Sequence, residues 1–178
     1  MQTDEALAAR LVDGDELALR ELLRRYERPL AAFLHRQTGG RDVEDLYQET
    51  WLRVVRHAAR FDTGRRFSTW LFQIANNLCR DGARRSAVEA KDRTRQQAEL
   101  PSQGAAGMTA LDAKLDAQKR LAQLPESLRE VLVLRYFEDL GEREIAEIVG
   151  VPPGTVKSRL HAAVRALRGA SEEHDVGC

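Results

Sequence analysis

The chain has 178 residues, 43% of them apolar and 31% charged, which is enough hydrophobic material for packed cores and too much paired charge for simple disorder. Its 28 basic residues balance 28 acidic ones, so attachment to nucleic acid through bulk positive charge is excluded and any such binding must come from local clusters. Cys79 and Cys178 have no partner spacing for a zinc knuckle or a disulfide framework, and Cys79 reads as a buried thiol inside a helical pattern.

At the start, Thr3-Asp4-Glu5 offers a capping residue followed by acids that suit the positive end of a helix, which should run to the break at Asp13-Gly14. This acidic opening does not resemble a signal peptide, and no apolar run approaches the roughly 18–20 residues that span a bilayer. A cytoplasmic protein without membrane insertion is expected. Asp15 starts a second helix whose Leu19, Leu22, Leu23, Tyr26, Leu30, Phe33 and Leu34 recur at helical spacing as far as Gly39-Gly40, with a kink expected at Pro29. Asp42 is placed to cap a third helix, which buries Val43, Leu46, Tyr47, Trp51, Leu52, Val54 and Val55 and ends near Arg60. The segment Phe61 to Phe67 reads as a turn-rich loop with exposed aromatics, and Ser68 as the cap of a long helix. That helix sets Trp70, Leu71, Ile74, Ala75 and Leu78 on one face and Gln73, Asn76, Asn77, Arg80 and Arg84 on the other.

From 96 to 110 the periodicity dissolves into small and polar residues, the composition of a flexible linker. We therefore divide the chain into a domain at 1–95, a linker at 96–110, a second domain at 111–170 and a tail at 171–178. The fold class is all-α, two small helical domains joined by the linker, because β-branched residues never alternate with polar ones over a useful length. Beyond the linker, Leu111, Leu115 and Leu121 suggest one helix, and Pro125 opens another through Phe137.

Glu142 to Ala162 has the pattern of a helix-turn-helix. Ile145, Ala146 and Ile148 face inward, Gly150 supplies the left-handed turn residue and Val151 plugs the corner. In the second helix Val156 and Leu160 pack back, while Lys157, Ser158, Arg159, His161 and Arg165 point away. Residues 157–168 hold Lys157, Arg159, Arg165 and Arg168 with no acid, whereas Glu138, Asp139, Glu142, Glu144 and Glu147 precede them. Such a helix can enter a major groove, with Lys and Arg meeting phosphates or guanine edges and Thr155 and Ser158 donating to either. The plainer alternative is a solvated basic helix in an ordinary bundle.

Three segments in order, Asp45-Leu46-Tyr47-Gln48-Glu49-Thr50-Trp51-Leu52-Arg53-Val54, Phe67-Ser68-Thr69-Trp70-Leu71-Phe72-Gln73-Ile74-Ala75-Asn76-Asn77-Leu78 and Gly154-Thr155-Val156-Lys157-Ser158-Arg159-Leu160-His161, resemble the bacterial sigma-70 family, in particular its extracytoplasmic-function (ECF) branch. The resemblance runs from about Asp15 to Leu167 and implies a sigma region 2 domain followed by a region 4 domain. It implies a transcription initiation factor without cofactor or catalytic activity, whose partners are core RNA polymerase, through the coiled coil of its largest subunit and its flap, and promoter DNA.

In similar proteins the helix with the Asp-Leu-x-Gln-Glu pattern docks on that coiled coil; here Asp45, Gln48, Glu49, Leu52 and Arg53 share one stripe. On the residues alone, Glu49 and Arg53 equally suit an exposed ion pair. Similar proteins open the minus-ten element at the loop and polar face that follow. Phe61 or Phe67 would stack on an unpaired base, Asn76 and Asn77 would face base edges, Arg65, Arg66, Arg80, Arg84 and Arg85 would hold phosphates, and Gln73 belongs to the same minus-ten surface. A core role is the rival for Phe67, and the preferred one for Trp70. The minus-thirty-five element would fall to Thr155, Lys157, Ser158, Arg159, His161 and Arg165. Two departures stand out: His161-Ala162-Ala163-Val164 has fewer basic residues than many relatives, and Gly82 is expected to end or bend the long helix before Arg84-Arg85.

Similar proteins are often held inactive by an anti-sigma factor, which would cover the docking stripe. The free chain is expected to be a monomer that binds DNA weakly. Two other classes fit the residues less well. A stand-alone helix-turn-helix regulator would need a dimer seam, and none is visible; an enzyme built on His35, His57 or His161 would need an acid on the same face.

Overall fold

The computed structural model describes residues 2–94 and 118–172, and the described residues are helical with no strand. The order is α1 (Asp4–Arg10), α2 (Glu16–Thr38), α3 (Val43–His57), α4 (Phe67–Thr94), α5 (Glu126–Tyr136), α6 (Glu142–Val149) and α7 (Pro153–Glu172), with a further helical stretch at 118–123. Leu111, Leu115 and the linker expected at 96–110 lie outside the described residues.

Local chemistry accounts for most helix boundaries. The Thr3 hydroxyl accepts a hydrogen bond from the Ala6 amide at 3.2 Å, and Asp15 accepts from the amides of Leu17 and Ala18 at 3.0 and 3.1 Å. Those amides, first that of Ala18, lower the Asp15 pKa, with Arg10 contributing through its hydrogen bond. α2 runs unbroken across Pro29 and ends on Gly39 in the left-handed conformation. Asp42 departs from expectation. It occupies the capping position with φ 52°, and in that left-handed backbone its side chain makes no capping hydrogen bond; only its carbonyl accepts from Leu46, at 2.9 Å.

The α2 stripe forms the centre of the N-terminal core. Leu22, Leu30, Phe33 and Leu34 are fully buried against Trp51 and Val54 of α3 and Leu71, Phe72 and Ala75 of α4. Each contributes roughly 1.5–3 kcal/mol by leaving water. Leu52 and Val55, both expected inside, are exposed. α4 starts at Phe67, one residue before the expected cap, and continues past Gly82, so the expected break there does not occur. A Cβ at Gly82 would meet nothing within 4 Å, which is consistent with a glycine that serves no close packing.

In the C-terminal half, Val131, Val133 and Leu134 of α5 pack with Ile145, Ile148 and Val149 of α6 and Val156, Leu160 and Ala163 of α7. Gly150, at φ 72°, makes the sharp turn between α6 and α7. The two halves meet: α4 packs along α6, and α2 along α5, where the Arg36 guanidinium lies 4.0 Å from the centroid of the Phe137 ring. No helix among the described residues is long and apolar enough to cross a membrane.

Candidate protein-docking and nucleic-acid interfaces

α3 presents a mixed stripe to solvent. Asp45, Gln48 and Leu52 are exposed, with Leu52 at 56%, and Val55 extends the apolar part by one further turn. Glu49 and Arg53 are half-buried and paired at 2.9 Å, an i, i+4 contact contributing a few tenths of a kcal/mol, about what a partly exposed pair supplies. Next to this stripe lies a cleft of about 420 Å³ bordered by Asp45, Glu49, Arg41, Arg85 and Arg129. Burial pushes the Cys79 thiol on its wall up to about 12, so the group stays protonated.

The segment between α3 and α4 is braced by aromatics. Phe67 is 0% exposed, with ring centroids 5.5 Å from Tyr26, 5.8 Å from Phe61 and 6.0 Å from Trp70; Phe61 and Trp70 lie 5.0 Å apart. Phe67 is therefore a core residue in this structure, which corrects the expectation of an exposed ring free to stack on a base. Phe61 and Trp70 are half-buried at the edge of the same cluster. Between the rings the backbone forms a hydrogen-bonded turn. The Asp62 carboxylate accepts from the Gly64 amide at 2.9 Å and its carbonyl from the Arg65 amide at 3.0 Å, leaving Arg65 and Arg66 exposed at the tip.

Along the polar face of α4, the side chains assigned to DNA meet acids and carbonyls of the C-terminal half. Arg65 pairs with Glu147 at 2.8 Å and Arg66 with Glu144 at 2.7 Å. The Gln73 amide donates to the Glu147 carbonyl at 3.2 Å. Asn76, at 1% exposure, donates to Glu130 at 3.2 Å, so it does not face solvent. Arg80 forks onto Glu130 at 2.9 and 2.7 Å and also donates to the Val149 carbonyl at 3.0 Å. Only farther along, at Asn77, Arg84 and Arg85, is this face open.

On α7, Lys157, Ser158, His161 and Arg165 are exposed as expected, and Thr155 is half-buried. Arg159 is the exception. Its guanidinium turns inward to Glu130 at 3.2 Å, which corrects the expectation that it points away. Glu130 was not among the anticipated residues, yet its carboxylate, 1% exposed, holds Asn76, Arg80 and Arg159 together. A signal for it was present: Glu130 stands one helical turn before the buried Leu134, an acid on an apolar stripe.

Comparison with known proteins identifies the family. Residues 22–88 match the family model of sigma-70 region 2, and residues 114–167 that of sigma-70 region 4. The ECF RNA polymerase sigma factor SigW of Bacillus subtilis is 30% identical over 167 residues, covering 87% of this chain and 89% of its own. The ECF RNA polymerase sigma-E factor of Escherichia coli K12 is 32% identical, covering 93% and 92%. Among solved structures, CnrH in complex with the cytosolic domain of CnrY superposes with a TM-score of 0.73 at 25% identity, covering 97% of this chain and 99% of that one. The sigma factor RpoE of Bartonella quintana, in complex with the anti-sigma factor NepR, gives 0.72 at 26%, with coverage of 90% and 98%. With two region models matched in order and full-length relatives at this identity, the chain belongs to the ECF RNA polymerase sigma factors of the sigma-70 family.

Proposed function

We propose that this protein is a promoter-directing initiation factor, which binds core RNA polymerase in the cytoplasm and brings it to start sites, leaving the chemistry of synthesis to the polymerase. The single observation that carries the proposal is the match to curated sigma factors over about nine-tenths of the chain. Relatives matched over both halves weigh against a stand-alone helix-turn-helix regulator. In this reading the functional division is 1–95 for region 2, 96–110 for the linker and 111–170 for region 4.

Asp45, Gln48, Glu49, Leu52 and Arg53 dock on the polymerase. The exposed apolar Leu52 at the centre of a polar stripe supports this, since protein interfaces combine an apolar centre with a polar rim. Arg65, Arg66, Gln73, Asn76, Asn77, Arg80 and Arg84, with Phe61 at the loop's edge, engage the minus-ten element. Thr155, Lys157, Ser158, Arg159, His161 and Arg165 engage the minus-thirty-five element, supported by the exposure of the basic helix α7. An anti-sigma factor is the proposed regulator, by analogy with the solved Bartonella quintana complex. The test is run-off transcription with purified core polymerase on genomic fragments. Defined transcripts that depend on added protein are expected; none above core polymerase alone would overturn the proposal.

A further inference from the structure

The cleft beside α3 carries three cations with unmet hydrogen-bonding capacity. Among the described residues, Arg41 donates to the Thr38 carbonyl at 3.2 Å, Arg85 to the Asp81 carbonyl at 3.3 Å and Arg129 to the Ala122 carbonyl at 2.9 Å, and none of the three pairs there with a carboxylate. The Nε of Arg129 is buried without a hydrogen-bond acceptor, and so is the Nε2 of Gln37, a residue 6% exposed that also lines the cleft. Buried donors in folded proteins are almost always satisfied, so two of them in one cleft mark a place where the acceptor comes from outside the chain. Burial lowers the Arg129 pKa against the opposing charge of Glu126, and Arg41 lowers it further, so this guanidinium lacks the counter-charge that it needs. Gly82 bears on the same space. It lies inside α4, where glycine weakens a helix relative to alanine, yet a Cβ there would meet nothing within 4 Å. Packing does not require glycine at this position, which borders a cleft of about 420 Å³, the size of a small-molecule site.

We propose that this cleft binds a small phosphate monoester that also carries hydroxyl or amino groups, the chemistry shared by sugar phosphates and nucleoside monophosphates. A phosphate, with about two negative charges and three strong acceptor oxygens, suits Arg41, Arg85 and Arg129 better than a carboxylate does. Asp42, Asp45 and Glu49 line the same cleft. Such acids disfavour a bare anion, so the ligand offers donors to them as well as acceptors to the arginines. Leu46 and Leu78 supply apolar surface for the body of the molecule, and the protonated Cys79 thiol adds no charge to it.

The test is isothermal titration calorimetry on the free, full-length chain at fixed salt, with ribose 5-phosphate, adenosine monophosphate, unphosphorylated adenosine and inorganic phosphate as probes. Saturable one-to-one binding of at least one of the two esters is expected, with a Kd below about 1 mM. Adenosine and inorganic phosphate should bind about tenfold more weakly or worse. The tighter of the two esters tells whether a sugar alone or a base as well fills the cleft. Gly82→Leu, which adds bulk without changing charge, and Arg129→Gln should each weaken that binding about tenfold or more. Arg20→Gln, which removes an equal charge from an exposed position on α2, should stay within about two-fold of wild type. Gly82→Leu puts a strong helix former into α4, so it should melt no lower than wild type, and it keeps the test valid if Arg129→Gln does not fold. Binding of neither ester, inorganic phosphate as tight as the esters, an equal loss in Arg20→Gln, or full affinity in Gly82→Leu would each overturn the proposal.

Discussion

The carboxylate of Glu5 accepts a hydrogen bond from the backbone amide of Phe67 at 3.1 Å, across 62 residues of sequence. Helix α4 thus begins on an acceptor supplied by α1, which serves one of the amides that a helix start leaves without a partner. α1 is in turn tied to α2, since Asp4 pairs with Arg25 and accepts from the Tyr26 hydroxyl at 2.6 Å. Burial raises the Tyr26 pKa, and the Asp4 contact adds to the effect, so the phenol remains a donor.

Glu5→Ala is accordingly expected to cost about 1 kcal/mol of stability, the usual loss for a missing helix-start acceptor, and Glu5→Gln appreciably less. Urea denaturation midpoints of the two variants check this. Equal losses would mean that charge, and not the acceptor, matters.

Gly150 isolates a backbone effect. Its φ of 72° favours glycine, yet a Cβ there would meet nothing within 4 Å, so steric crowding contributes nothing. Gly150→Ala should destabilise by about 1 kcal/mol, and Gly150→Asn by less, because asparagine tolerates the left-handed conformation. Thermal denaturation of both variants measures the difference.

Leu52 supports no core, being 56% exposed on α3. Leu52→Asp should leave the melting temperature within about 1 °C, as surface substitutions usually do, while weakening association with core polymerase about tenfold or more. Surface plasmon resonance against immobilised core enzyme provides the measurement. Unchanged binding would remove this residue from the docking stripe.

Burial raises the Glu138 carboxyl from its ordinary 4.5 to about 7, against the opposing pull of Arg36. A folded-state value above the unfolded one means that the native protein holds this proton more tightly, so stability is greatest below about 4.5 and falls as pH rises through about 7. Glu138→Gln should remove that share of the pH dependence and raise stability at pH 8 by roughly 1 kcal/mol, after allowing for solvent screening of a partly exposed group. Chemical denaturation at pH 5 and pH 8 for both proteins tests the sign.

Features carried by neighbouring residues were readable in the chain. Thr3, Asp15 and Gly150 act within a few positions of themselves, and their capping and turn roles follow from side-chain type and spacing. Asp42 misled because the same residue type serves both as a cap and as a left-handed turn residue, and the preceding Gly39-Gly40 bend selects the second. Phe67, Asn76, Arg80 and Arg159 were less legible because their environments come from residues many positions away. An amphipathic pattern separates apolar from polar faces, but it does not say whether a polar face meets water or the acids of another helix.

The aromatic cluster around Phe67 has a consequence for the loop it anchors. Because Phe61 and Phe67 belong to one stack, the five residues between them form a short arch with fixed feet, already shaped by the Asp62 turn. An arch of this kind surrenders little further backbone disorder when it grips a ligand, even though Arg65 and Arg66 must first leave Glu147 and Glu144. Loosening a foot, for instance by truncating Phe61, would slow capture without removing a single cation.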